Sequence, residues 1–315
     1  MPRRILITGG GGFVGCHVAF EAVLGQLRQA DEDLVVSVDR MVPPTYGNKS
    51  VSMDLTDVEA VTEMVHSMQP THVVHCAGVT YAETVDVYLE GNVRSTHVLL
   101  RALADVGRKS LQRFVNVSSA AVLGATGPGD CPVSEDHPRA PSGTYGWSKM
   151  VQERIVEGFG HNWGLPVVNA RVFNTCGPGQ RPTMMPAALF RRFLVEDGPE
   201  LPVRNWSATR DYLDVRDIAS ALLVLMDRGD PGTTYNVGSG VAKCIGALSR
   251  MAAKAAGTNK APIPGAVDSP RDCSCADVSR LTALGWSPRY SLDESLADCW
   301  EWVRGIVPVQ KSTDV

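Results

Sequence analysis

Ile5-Leu6-Ile7-Thr8-Gly9-Gly10-Gly11-Gly12-Phe13-Val14-Gly15 is the stretch whose reading decides the fold. Ile5 to Ile7 reads as a short buried strand, and a helix begins near Phe13. Thr8-Gly9-x-x-Gly12-x-x-Gly15 turns one into the other. Gly9 permits a tight turn, Gly12 lets backbone approach a pyrophosphate, and Gly15 lets the helix pack close on the strand. The unpaired N–H groups at the helix start attract that pyrophosphate. Four glycines in a row can also be a flexible loop, but the place between strand and helix points to a dinucleotide.

Outward from this stretch, apolar runs alternate with helical patterns. Helix is expected from about Val14 to Arg28, strand over Leu34–Asp39, a short strand over Val51–Asp54 and helix from Val58 to Ser67. Strand follows at His72–Gly78, helix at Asn92–Val106, strand at Phe114–Ser119, helix at Ser148–Gly158 and strand at Pro166–Val172. Strands apolar on both faces and alternating with helices call for a parallel sheet covered on both sides, hence an α/β, doubly wound, Rossmann-type fold. After Phe173, prolines 178, 182, 186, 199 and 202 break the pattern around a helix at Ala187–Leu194. Helix at Asp217–Asp227 and strand at Thr234–Val237 return to the main domain. Helices at Ile245–Ala256 and Asp277–Leu284 read as peripheral, and Leu292–Val303 is amphipathic. The expected division is a Rossmann domain over 1–173 plus about 211–240, a smaller substrate lobe over about 174–210 and 241–308, and a frayed tail at 309–315.

Composition sets outer limits. The 315 residues are 44% hydrophobic and 20% charged with a formal net charge of −4, ordinary for a globular chain with a large core. No basic run points to nucleic acid, and no apolar stretch approaches a membrane span. The chain enters a strand at once, so no signal peptide is expected. The eight cysteines are scattered in apolar or small-residue surroundings and read as reduced thiols in a cytoplasm. Cys273-x-Cys275 is too close for zinc spacing and lacks a second ligand pair, and the histidines do not cluster, so no metal is expected.

Asp39 ends the second strand, where a carboxylate accepts hydrogen bonds from adenosine ribose hydroxyls and repels a 2′-phosphate; this favours NAD. Arg40 beside it can hold such a phosphate, and Asp39 can also be a plain turn residue. Asp54-Leu55 falls where an adenine would lie, or marks the start of the next helix. Tyr145-Gly146-Trp147-Ser148-Lys149 puts a phenol and an ammonium on one helix face. An ordinary tyrosine ionises near ~10, too high for a base at neutral pH, but a lysine one turn away and a positive nicotinamide both favour the phenolate. The pair can then take a proton from a carbinol while hydride leaves.

These motifs resemble the extended short-chain dehydrogenase/reductases, the nucleotide-sugar epimerase/dehydratase family. The match takes in Gly9/Gly12/Gly15, Asp54-Leu55, Cys76-Ala77-Gly78, Asn92-Val93 and Ser118-Ser119-Ala120-Ala121-Val122-Leu123-Gly124. It continues through Tyr145/Lys149, Arg171 to Gln180, Arg210-Asp211-Tyr212, Arg271-Asp272 and Leu284 to Pro288. The resemblance implies a catalytic Ser119, Tyr145 and Lys149. It implies an NAD site formed by Gly9, Gly12, Phe13, Val14, Gly15, Asp39, Arg40, Asp54, Leu55, Cys76, Ala77, Gly78, Asn92, Val117, Tyr145, Lys149 and Phe173. The implied substrate contacts are Thr80, Ser119, Asn174, Arg210 and Arg271, with the two arginines gripping a diphosphate. It further implies a homodimer through the helices at Asn92–Val106 and Ser148–Gly158, with Met150, Val151 and Ile155 as apolar positions needing cover.

Departures from the pattern are informative. The family's dehydratases carry Asp-Glu directly after the catalytic Thr, whereas Ala120 and Ala121 follow Ser119 here. Leu123 replaces a tyrosine, and the loop from Gly78 to Asn92 is short, which leaves the UDP-, GDP- or dTDP-linked sugar open. Three readings follow: an NAD-dependent epimerase working at C4 of a nucleotide sugar, a 4-keto-sugar-nucleotide reductase using NAD(P)H, and a non-catalytic dinucleotide sensor. The segments Phe173–Gln180 and Thr209–Asp217 resemble GDP-4-keto-6-deoxymannose reductases. Asp39 tips the choice to the epimerase, and the intact Ser119, Tyr145 and Lys149 count against the sensor.

Overall fold

The computed structural model describes residues 2–29, 33–41, 49–269 and 272–308. In chain order the first elements are β1 (Arg4–Thr8), α1 (Phe13–Gln29), β2 (Leu34–Asp39), β3 (Lys49–Ser52), α2 (Val58–Met68) and β4 (His72–His75). Next come α3 (Val85–Tyr88), α4 (Ser95–Ala102), β5 (Arg113–Ser119), α5 (Thr144–Trp163), β6 (Val167–Val172), β7 (Asn174–Cys176) and α6 (Ala187–Val195). Then follow β8 (Glu200–Val203), β9 (Thr209–Asp214), α7 (Val215–Arg228), β10 (Thr234–Val237), β11 (Ala242–Cys244) and α8 (Ile245–Ala256). The last are β12 (Ala261–Pro264), β13 (Cys273–Ser274), α9 (Ser279–Ala283) and α10 (Leu292–Ile306).

Seven strands form one parallel sheet in the order β10-β6-β5-β4-β1-β2-β3. Side chains alternate through it as a strand requires. Ile5, Ile7, Val74 and Val115 join one core with Val18 and Ala22 of α1 and Ile218, Leu222 and Leu225 of α7. Leu6, Val73 and Phe114 join the other with Val61 and Val65 of α2, Leu99 of α4 and Val156 of α5. Both faces are therefore covered, which explains strands without a polar side. The chain order reverses between β1 and β4, and the crevice beyond the C-terminal ends of those strands is where such sheets bind ligands.

Several expected bounds move: the strand expected over His72–Gly78 ends at His75, and the helix expected over Leu292–Val303 runs on to Ile306. The helix expected from Asn92 begins at Val85 and runs to Gly107, with π-helical turns at Leu89–Arg94 and Leu103–Gly107. The helix expected from Ser148 begins at Thr144, so Tyr145 already lies inside it. The third strand lies two residues earlier than Val51–Asp54. The tail 309–315 and Arg271 lie outside the described residues.

A second core gathers Leu189, Phe190 and Phe193 of α6, Leu248 and Ala252 of α8, and Leu296, Cys299 and Val303 of α10. It packs beside a small sheet in which β9 pairs with β7, β11 and β13. A separate pair, β8 with β12, joins segments about sixty residues apart in sequence. Strand β9 lies in the small sheet, while α7 and β10 after it pack in the large one.

Candidate active site

Two of the loop glycines meet the requirement read from the sequence. Gly9 has φ +71°, and a side-chain carbon there would lie 2.6 Å from the Ala77 nitrogen. A carbon on Gly15 would overlap the Gly9 carbonyl. Helix α1 thus starts against the turn, with Gly12 N donating to Gly9 O at 2.9 Å. Gly10 N donates to Val38 O at 3.1 Å, and the Asp39 carboxylate accepts from Gly11 N at 3.0 Å. Asp39 therefore faces the glycine loop from the end of β2, while Arg40 is exposed. Asp54 is exposed and accepts from Thr56 N and Oγ1 at 2.9 and 2.8 Å, bonds that hold its carboxyl below the usual range. Leu55 beside it is buried, and Asp57 caps α2.

The end of β4 is fixed by Asn92. This side chain is fully buried in the first π-helical turn, where its Oδ1 accepts from Val79 N at 2.6 Å. Its Nδ2 donates to Val79 O at 3.0 Å and Ser148 Oγ at 2.8 Å. One amide thus ties the Cys76-Ala77-Gly78 turn to α5. Thr80 lies exposed just beyond. Burial pushes the Cys76 thiol up to about 12, so it stays protonated.

Ser119 ends β5, and its Oγ accepts from Ala121 N at 3.2 Å as the chain enters a 3₁₀ turn over Ala120–Leu123. Tyr145 stands on the first turn of α5, with its phenol beside the Ser119 side chain. The Tyr88 ring lies 6.2 Å away, centroid to centroid. Lys149 is buried one turn on and donates from Nζ to Val117 O at 2.7 Å. Burial raises Tyr145 above its ordinary value and the nearby Ser119 hydroxyl opposes it; burial lowers Lys149 to about 8 and Glu153 opposes that. Ser119, Tyr145, Lys149 and the Val117 carbonyl thus gather at the end of β5 and the start of α5, and a carbon on Gly78 after β4 would lie 3.9 Å from Lys149 Nζ.

On the substrate side, Phe173 is buried against Val122, Leu123 and Ala276. Asn174 begins β7 opposite Tyr212. The Arg210 guanidinium is paired with the Asp272 carboxylate and donates from Nη1 to Thr209 O at 2.8 Å.

Sequence reasoning missed two buried networks. Thr8 Oγ1 lies 2.7 Å from His75 Nδ1, His75 Nε2 lies 2.8 Å from Thr96 Oγ1, and Gln152 Nε2 donates to that oxygen at 2.7 Å. Burial drops His75 to about 3, so it stays neutral, and the chain of bonds links the glycine turn to α5. The second network centres on Glu153, Arg171 and Arg139. Its sequence signals were Arg171 at the head of a motif segment and a glutamate four residues after Lys149, ordinary on any helix.

The profile of a family described as NAD dependent epimerase/dehydratase matches residues 5–238. The chain belongs to that family. Its members are enzymes of the extended short-chain dehydrogenase/reductase type and use NAD. A dTDP-glucose 4,6-dehydratase of Xanthomonas campestris pv. campestris is 29% identical, over 94% of this chain and 92% of that protein. A trifunctional UDP-glucose 4,6-dehydratase/UDP-4-keto-6-deoxy-D-glucose 3,5-epimerase/UDP-4-keto-L-rhamnose-reductase of Arabidopsis thaliana is 28% identical over 96% of this chain. The chain spans about half, 47%, of that protein's length. Among solved structures, MoeE5 in complex with UDP-glucose and NAD superposes with a TM-score of 0.80 at 29% identity, covering 96% of this chain and 99% of that one.

Proposed function

We propose that the protein is an NAD-dependent epimerase that inverts a secondary carbinol, C4, of a nucleotide-activated sugar. The observation that carries this is the meeting of Ser119, Tyr145 and Lys149 at the end of β5 and the start of α5 with only Ala120 and Ala121 after Ser119. Oxidation and re-reduction of one carbon need a single acid/base. Elimination of water needs a further acid, and the two alanines supply none.

The chain's own groups divide the work. Tyr145 Oη takes the carbinol proton and later returns one. Ser119 Oγ, beside the phenol, holds the reacting oxygen. Lys149, fixed by the Val117 carbonyl, donates to ribose hydroxyls and favours the phenolate. When bound, the nicotinamide supplies the hydride acceptor and a positive charge. The collisions met by any side chain at Gly9 or Gly15, together with the Asp39 carboxylate beside Gly11, fit an adenosine diphosphate moiety there. Gly12, Phe13, Val14, Arg40, Asp54, Leu55, Cys76, Ala77, Gly78, Asn92 and Phe173 complete the proposed cofactor site, and Thr80, Asn174, Arg210 and Arg271 the proposed substrate contacts. Residues 1–173 with about 211–240 form the proposed cofactor domain, and the rest up to 308 the substrate lobe.

Incubation with UDP-, GDP- and dTDP-hexoses, followed by NMR of the sugar, tests the activity. A C4 epimer of any of them supports it, and no conversion of any of them rejects it. The reductase reading keeps the support of the Phe173–Gln180 and Thr209–Asp217 segments and of the exposed Arg40 next to Asp39.

Cofactor choice follows from charge. Asp39 faces the loop, so a 2′-phosphate would meet a like charge, and wild type should bind NAD(H) at least about tenfold tighter than NADP(H). Titration of both cofactors against wild type and Asp39→Ala checks this. Equal affinities in wild type would move the assignment to the reductase.

Among the described residues no helix is long and apolar enough to cross a membrane, and all eight cysteines are free thiols, which supports a cytoplasmic setting. A homodimer through α4 and α5 is also proposed. The apolar positions expected to need cover, Met150, Val151 and Ile155, are half-buried in the chain itself, because Met150 packs beside Phe173 and Ile155 beside the α2–α4 core. Trp147, Val85, Val87 and Leu89 are exposed instead and supply the apolar surface. Light scattering at micromolar concentration should give twice the chain mass; the monomer mass would reject the dimer.

A further inference from the structure

Beneath the proposed site lies a charge cluster that the chemistry above does not use. Glu153 stands one turn beyond Lys149 on α5 and is fully buried. Its two oxygens accept from Nε and Nη2 of Arg171 at 3.0 Å each, and Arg139 Nε lies 2.7 Å from Oε2. The Ser118 hydroxyl donates to Oε1 at 2.6 Å. These partners come from β6, from the loop ahead of α5 and from β5. Arg171 itself is buried and reaches on to the Glu135 carbonyl at 2.8 Å. A well-packed apolar group often serves stability as well as a buried ion pair does, so stability alone does not explain the cluster. What an apolar group cannot supply is a fixed negative charge four residues from a buried ammonium.

Lys149 needs such a charge. The groups facing it are Tyr145 and Glu153 on its own helix, the Cys76 thiol and neutral His75 at the end of β4, and the Val117 carbonyl on β5. Among these, Glu153 is the group whose charge favours the ammonium, and Arg139 and Arg171, both paired with it, oppose that effect.

We propose that Glu153 is a positioning residue, which supplies the counter-charge that keeps Lys149 protonated at neutral pH and pins β5 at Ser118 beside Ser119. The inference rests on the Ser119–Tyr145–Lys149 reading of the site. It is read from the lysine directly, in isotope-labelled protein followed by NMR across pH, with the Lys149 signal assigned by its loss in Lys149→Met. Glu153→Gln keeps the shape and an acceptor for Ser118 but removes the charge. Its Lys149 midpoint should fall by at least about one pH unit. Arg139→Gln removes a cation paired with Glu153 and should move the midpoint the opposite way. Arg139 lies nearer the surface, so this variant decides the matter should Glu153→Gln fail to fold. Midpoints that stay at the wild-type value, or an Arg139→Gln midpoint that falls, overturn the proposal. No turnover enters this measurement, so its failure leaves the Tyr145 test standing, and an active Tyr145→Phe enzyme rejects the site whatever Lys149 does.

Discussion

Tyr145→Phe should lower turnover by about 10²–10⁴ or more while NAD binding survives. The substitution removes one oxygen and keeps the ring that packs against Tyr88. That oxygen lies beside Ser119 at the end of β5 and can exchange a proton. Ser119→Ala should lower the rate with little effect on cofactor affinity. Lys149→Met should harm both, since the ammonium has a part in each. Initial rates on the converted nucleotide sugar, with NAD affinity measured in parallel, check the set. Near-wild-type turnover by Tyr145→Phe would remove this site from consideration and move the protein toward the sensor reading, with the fold untouched.

Gly15→Ala should cost about 1–3 kcal/mol or more in stability and abolish tight NAD binding. The added carbon would overlap the Gly9 carbonyl, and both atoms belong to backbone, so neither can swing aside as a side chain would. Relief requires α1 to move off β1. That movement takes its first-turn N–H groups away from where a pyrophosphate must sit. Gly25→Ala in the same helix is the control. Nothing lies within 4 Å of a carbon added there, so that change should instead stabilise by about 0.5–1 kcal/mol through helix propensity. Thermal melting and NAD titration of both variants read the two effects. A Gly15→Ala protein that melts and binds as wild type does would show that the turn and helix are not in close contact.

The parts legible in the sequence are those carried by short-range periodicity and by residues with a single physical use. Alternation of apolar runs with helical patterns gave the parallel sheet, because strands buried on both faces leave no polar side to confuse the count. The glycine spacing gave the cofactor turn, since only glycine fits at φ +71° and under a carbonyl. Tyr145 and Lys149 were visible because positions i and i+4 share a helix face wherever the helix lies.

Other features depended on what the chain meets across space. Helix α5 starts four residues before the expected Ser148 and takes in Gly146. A side chain at Gly146 would lie 2.5 Å from the Ala121 carbonyl, so the glycine serves the contact between α5 and the turn after Ser119. Arg210 reads as a phosphate ligand, yet its guanidinium is paired with Asp272, 62 residues away. Asp211 reads as one more motif residue, but it is buried and accepts from Ser239, Gly240 and Ala276 backbone, joining three segments of the small sheet. Glu153 and Arg139 look like common surface charges, and Arg171 like one more motif residue, until β5, β6 and the loop before α5 close around them. The sequence by itself therefore determined the order of elements and the glycine turn, and pointed to the proposed catalytic pair, all through local geometry. Only the tertiary structure decided which polar groups are buried together, because burial and partner choice depend on atoms far apart along the chain.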